Sequence, residues 1–139
     1  MTEILNRETV AIDEAAHDIY KQLTEGNNML EAPFKTMKDM FMWATCLGVK
    51  LGLRRPLTTK RITIFRWAQF DPQIDIPLLK AIAIKDSGDM SILLRRNDIL
   101  TVAEEYANAG IYELRASLLE EYGQPLWNLV SLISELKEA

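Results

Sequence analysis

Met37-Lys38-Asp39-Met40-Phe41-Met42-Trp43-Ala44-Thr45-Cys46-Leu47-Gly48-Val49-Lys50 is apolar around most of its circumference after its first turn. A helix of that kind is buried on nearly all sides, either at the centre of a fold or in an oligomer interface. Thr36 precedes it as a fair N-cap. Asp39, three residues on, is a weaker version of the capping-box partner and complements the positive helix end. The spacing predicts a helix over 37–50 and a mainly helical fold around it.

Downstream, Gly48 and Gly52 lower helical propensity, and Arg54-Arg55-Pro56 marks the exit. Arg61-Ile62-Thr63-Ile64-Phe65-Arg66-Trp67 is β-branched and aromatic, a short strand by composition. A lone strand cannot satisfy its own ladder, so it must pair elsewhere in the chain or with a second subunit; it is read here as an extended connector. Upstream, Ile12, Ala15, Ala16, Ile19, Tyr20 and Leu23 keep helical spacing until Gly26-Asn27-Asn28.

Further on, turn and cap residues at Asp71-Pro72, Asp75 and Pro77 open a helix that ends near Asp86-Ser87-Gly88, and a short helix follows around Met90 to Leu94. Asn97 or Asp98 caps the next, expected to stop at Gly110, with another from Ile111 to Tyr122 and a last one from Pro125. The expected architecture is all-α: one domain over 1–139, a compact bundle of about six helices, with one short strand near residues 61–67.

At 139 residues and 48% hydrophobic, the chain is long enough for a real core. It has no apolar run long enough to cross a bilayer, and its first residues lack the basic-then-apolar order of a signal peptide, so no membrane contact and a cytoplasmic location are expected. Cys46 and His17 are the only cysteine and histidine. Those counts remove internal disulfides, thiolate zinc sites and the usual metal or nucleophile systems that need a second imidazole or thiol. No phosphate-cradling glycine loop is present. Glu104-Glu105 and Glu120-Glu121 are adjacent on helices and point apart, and Asp86 with Asp89 makes no legible site. No cofactor, no metal and no catalysis are expected.

The formal net charge is −4, yet Lys35 to Phe70 holds eight basic residues against Asp39 alone, a balance of +7 that leaves −11 for the remainder. Asymmetry of that size is a clue to a partner surface. The candidate site is Lys50, Arg54, Arg55, Lys60, Arg61 and Arg66, a run with no acid among them and with Phe65 and Trp67 offering aromatic faces. Its natural ligands are phosphate backbones or an acidic protein face. The plain alternative is ion pairing within the fold, with Asp13, Asp18, Glu104 or Glu105. Gly48 and Gly52 have two readings likewise: close approach of a phosphate to backbone near Arg54-Arg55, or simple helix termination. Met37, Met40 and Met42 with Phe41 and Trp43 read as core before they read as a partner groove, Cys46 as an inert small hydrophobe and His17 as a solvated surface residue.

Pro33-Phe34-Lys35-Thr36-Met37-Lys38-Asp39-Met40-Phe41, Cys46-Leu47-Gly48, Leu53-Arg54-Arg55-Pro56-Leu57 and Ile64-Phe65-Arg66-Trp67 together resemble a small family of DNA phosphorothioation-associated proteins, Dnd system-associated protein 4. Asp75 to Ala83 and Ala103 to Ile111 fit the same likeness. The order of features also loosely resembles the small helical DNA-binding subunit of the phosphorothioation machinery. The resemblance implies a setting rather than an activity: bacterial systems that place sulfur in the DNA backbone to tell self from foreign DNA. Within that setting the expectation is a non-enzymatic DNA-binding accessory component. The alternative is an adaptor whose basic segment docks an acidic face of a larger restriction or modification subunit. DNA or other subunits of the system are the expected partners, and the mostly apolar second helix hints at a homo-oligomer.

Overall fold

The computed structural model describes residues 5–138, and of Glu138 the backbone only. The elements run β1 (Thr9–Asp13), α1 (Glu14–Thr24), α2 (Met37–Leu51), β2 (Arg61–Arg66), α3 (Asp75–Ser87), α4 (Arg96–Leu118) and α5 (Pro125–Glu138), with short 3-10 turns at Trp67–Gln69 and Met90–Leu94. Five α-helices and a two-stranded sheet thus replace the six-helix bundle expected from the sequence.

Helix α4 is the axis. Leu100, Ala103, Ala107, Ile111, Leu114 and Leu118 are all almost fully buried and recur every three or four residues. This stripe packs against α1, α2, α3, α5 and β1. Each buried Leu or Ile contributes about 1.5–3 kcal/mol relative to an exposed one. The expected break at Gly110 does not occur: one helix of 23 residues runs through it, and Ile111 to Leu118 continues the same element.

The residue there is glycine because a side chain would not fit. A Cβ on Gly110 would overlap the carbonyl of Ala44, and one on Gly48 would overlap the carbonyl of Tyr106. Helices α2 and α4 therefore cross almost backbone to backbone. Gly48 does not end the helix, and the close approach it allows is to the Tyr106 carbonyl of α4. Termination falls to Gly52, which takes the left-handed conformation at φ 68° and donates its N–H to the carbonyl of Val49 at 3.1 Å. At the other end of α2 the Thr36 hydroxyl accepts the Asp39 N–H at 3.0 Å, as the cap spacing predicts.

The strand partner is Thr9–Asp13, a segment whose Ile12 the apolar periodicity assigns to the first helix. β1 and β2 pair antiparallel, with Val10 opposite Phe65, Ala11 opposite Thr63 and Asp13 opposite Arg61. The register skips Ile64, a bulge that puts both Ile62 and Phe65 on the face shared with Ile12 and Val10. Thr9, Ala11, Asp13, Arg61, Thr63 and Arg66 take the opposite face. Phe65 then enters an aromatic cluster with Phe41 at 5.5 Å and Phe70 at 5.1 Å between centroids, tying the sheet to α2. Met40 and Met42 are buried as well, so the methionine cluster is core.

Among the described residues no helix is long and apolar enough to cross a membrane. Replacing Gly110 with Ala is expected to lower unfolding free energy by at least about 3 kcal/mol, because backbone must move to admit the methyl group. The matching change at Gly52, where open space surrounds the Cβ and only the positive φ is strained, should cost about 1 kcal/mol. Urea denaturation of the two variants checks the order.

Candidate functional site

The nine residues between α2 and β2 carry most of the predicted site and have no regular structure of their own. Two buried polar side chains hold them in place. The Asp13 carboxylate accepts the N–H groups of Thr58 at 3.2 Å and Thr59 at 3.1 Å. Asn108, on α4, donates its side-chain amide to the carbonyls of Arg55 at 3.3 Å and Pro56 at 3.2 Å, and to Asp13 at 3.2 Å. Backbone bonds add to this: Arg55 N–H to the Glu105 carbonyl at 3.0 Å, and Glu14 N–H to the Lys60 carbonyl at 2.8 Å. The loop is exposed, yet its main chain is fastened to the core between Arg55 and Lys60. The sequence marks Asp13 only as a possible ion-pair partner for the cations and does not single out Asn108; an Asn between Ala107 and Ala109 in the interior of α4 is the available signal.

The six predicted cations do not form one cluster. Arg54 is neutralised inside the fold: it bonds Glu105 at 2.8 Å and also pairs with Asp86, whose other oxygen accepts the Tyr106 hydroxyl at 2.7 Å. Ion pairing with Glu105 is thus correct for this residue. Arg61 is half exposed and lies 3.5 Å from Glu104. Glu104 is itself buried and already held by Arg7 through two bonds, at 2.9 and 2.5 Å, and by the Ala11 N–H at 2.8 Å. Its charge is satisfied largely without Arg61.

Arg55 stacks over the Tyr112 ring at 4.7 Å, and Arg115, outside the basic segment, lies 5.0 Å from the same ring while pairing with Glu120 at 3.2 Å. Lys50, Lys60 and Arg66 are exposed and have no carboxylate partner among the described residues. Lys60 and Arg61 sit at one end of β2 and Arg66 at the other, about 17 Å away by strand rise. Of the two aromatic faces expected beside them, Phe65 is buried in the core and only Trp67 remains, half exposed with the Arg96 guanidinium 4.4 Å above its ring.

Burial pushes the Asp86 carboxyl up, but the hydrogen bonds from Tyr106 and Arg54, with the Arg54 charge, outweigh it and hold the group below the ordinary Asp value. On Tyr20 nothing offsets burial: desolvation, and then the Glu104 charge, raise its hydroxyl well above the usual tyrosine range, and that hydroxyl has no partner among the described protein groups. No group of three or more His, Cys, Asp or Glu among the described residues could hold a metal ion.

Changing Asp13 to Ala leaves the Thr58 and Thr59 amides without their acceptor, so their hydrogen exchange should accelerate at least about tenfold while amides in the α4 stripe keep their protection. Asp86, with a depressed pKa in the folded state, stabilises the fold fully above the unfolded value of about 3.9 and loses that contribution as pH falls through its folded pKa. The stability gap between the wild type and Asp86→Asn should therefore narrow as urea midpoints are taken from about pH 6 to about pH 2.5.

Residues 9–139 match the family model described as DNA sulphur modification system-associated protein 4. No curated protein and no solved structure matches the chain. With the match spanning nearly the whole chain from the first strand onward, the protein belongs to the family of DNA sulphur modification system-associated protein 4.

Proposed function

We propose that the protein is a non-enzymatic accessory component of a bacterial DNA phosphorothioation modification and restriction system, acting in the cytoplasm, and that it binds the DNA backbone through its basic segment. One observation carries this reading: a loop whose main chain is fastened by Asp13 and Asn108 presents Arg55 and Lys60 without carboxylate partners, in a chain whose net charge is −4. Among the described residues, acid elsewhere pairs with the six candidate cations only at Arg54 and, more weakly, Arg61. A fixed loop also loses little freedom when a phosphate arrives.

Lys50, Arg55, Lys60 and Arg66 are the contacts in this reading, with Arg61 and Arg115 beside them. Arg54 changes role: it braces α2 against α3 and α4. The reading needs neither metal nor cofactor.

A protein partner is the second reading, and a different surface favours it. On α5, Trp127, Val130 and Ile133 stand exposed on one side of the helix, while Leu129 and Leu132 are buried. Another subunit of the system, or a second copy of this chain, could cover them while the loop holds DNA.

Duplex DNA binding measured across a salt series tests the proposal. The slope of log K against log salt should fall by about 0.9 for each phosphate that the protein no longer neutralises, so Arg55→Ala/Lys60→Ala/Arg66→Ala should lower it by about 2.7. Arg54→Ala should leave the slope nearly unchanged while lowering stability. Absence of duplex binding at low salt, with or without phosphorothioate links, would sink the DNA reading and assign the basic segment to an acidic protein face.

A further inference from the structure

We propose that the hollow between the end of β2 and the start of α4 holds an unpaired nucleobase together with a neighbouring phosphate of the same strand; this rests on the DNA-binding reading and extends it beyond backbone contact. The hollow measures about 400 Å³, and its lining includes Trp67, Ile76, Leu94, Lys80, Arg96 and Asn6. That volume lies within the range of small-ligand sites.

Among the described residues no carboxylate lines it, although the chain carries 20 acidic residues against 16 basic ones. Arg96 pairs with Glu8 at 3.4 Å, but the Glu8 side chain is 73% exposed, so water competes for that pair. Lys80, Arg96 and the Asn6 amide therefore face a hollow whose other lining residues are apolar. A purely apolar ligand would leave Lys80 and Arg96 unmatched, and a bare phosphate would leave Ile76 and Leu94 in water. A nucleotide unit matches both, with flat faces that stack on an aromatic ring or guanidinium plane and a charged group beside them.

The platform is pre-built. Phe70 meets the Trp67 indole edge-on at 5.4 Å and 80°, fixing the ring against the core aromatic cluster, and the Arg96 guanidinium lies 4.4 Å from the indole centroid. Leu94, 87% exposed, stands among the lining residues with nothing to pack on. The hollow also continues the line of the basic strand. The bulge at Ile64 brings Arg66 onto the same sheet face as Arg61, and Trp67 is the next residue, so a backbone tracked along β2 arrives at the indole.

The test uses the full chain labelled with nitrogen-15, in which Trp43, Trp67 and Trp127 give three indole N–H resonances, assigned by single Trp→Phe changes. A thymidine oligonucleotide of about eight nucleotides is titrated in, beside an abasic oligonucleotide of equal length and a fully paired duplex. The Trp67 resonance should move with the thymidine strand and not with the abasic one. Lys80→Ala/Arg96→Ala should weaken single-strand affinity about tenfold and duplex affinity less than about twofold. A Trp67 signal that stays still at saturation, or moves equally with the abasic strand, overturns the base site. If the duplex still binds in that case, the backbone reading survives. If the thymidine strand shifts Trp67 while the duplex does not bind, the base site stands and duplex binding falls.

Discussion

Two helices touching backbone to backbone at Gly48 and Gly110 set the geometry of everything else. The crossing brings the Ala44 and Tyr106 carbonyls where side chains would otherwise stand. Close approach strengthens the dispersion attraction among Met40, Phe41, Ala44, Ala103 and Ala107 along the seam, all almost fully buried. It also places the exit of α2 beside the middle of α4, which lets Arg55 bond the Glu105 carbonyl and Arg54 reach Glu105 and Asp86. A wider crossing would carry the basic loop away from Asn108, its main buried anchor.

The helices were legible because their patterns are local. The bounds of α2, the Thr36 cap and the Gly88 terminus of α3 follow from residues within a turn or two. What was not legible depends on partners far away in sequence. Gly110 reads as a stop because glycine destabilises an isolated helix, and only the presence of α2 turns the missing side chain into an advantage. The first strand was missed because Val10-Ala11-Ile12 is apolar at every position and runs in phase with the helix after it. Both faces of this strand are covered, so it shows no alternation.

The candidate site was legible as a charge run, and the structure divides that run. Counting cations cannot separate Arg54, which meets two carboxylates, from Lys60, which meets none, since the carboxylates come from α3 and α4. Nor could it show that buried polar groups do the positioning. Asp13, Glu104 and Asn108 are almost fully buried, a costly arrangement offset by hydrogen bonds that go mostly to the N-terminal segment and to the basic loop, although the Asn108 Oδ1 finds no partner among the described protein groups. Their hydrogen bonds hold exposed backbone in one conformation.

The position of α4 in the chain also bears on how the protein is made. α1, α2, α3 and β1 all pack on a helix that ends at Leu118, and β1 must wait for a partner beginning at Arg61. During synthesis, then, the apolar sides that α1 and α2 turn toward α4 emerge long before that helix exists to cover them. Their burial requires most of the polypeptide to have left the ribosome, so the nascent chain passes through a long interval in which its Met-rich second helix is open to chaperones and to other nascent copies.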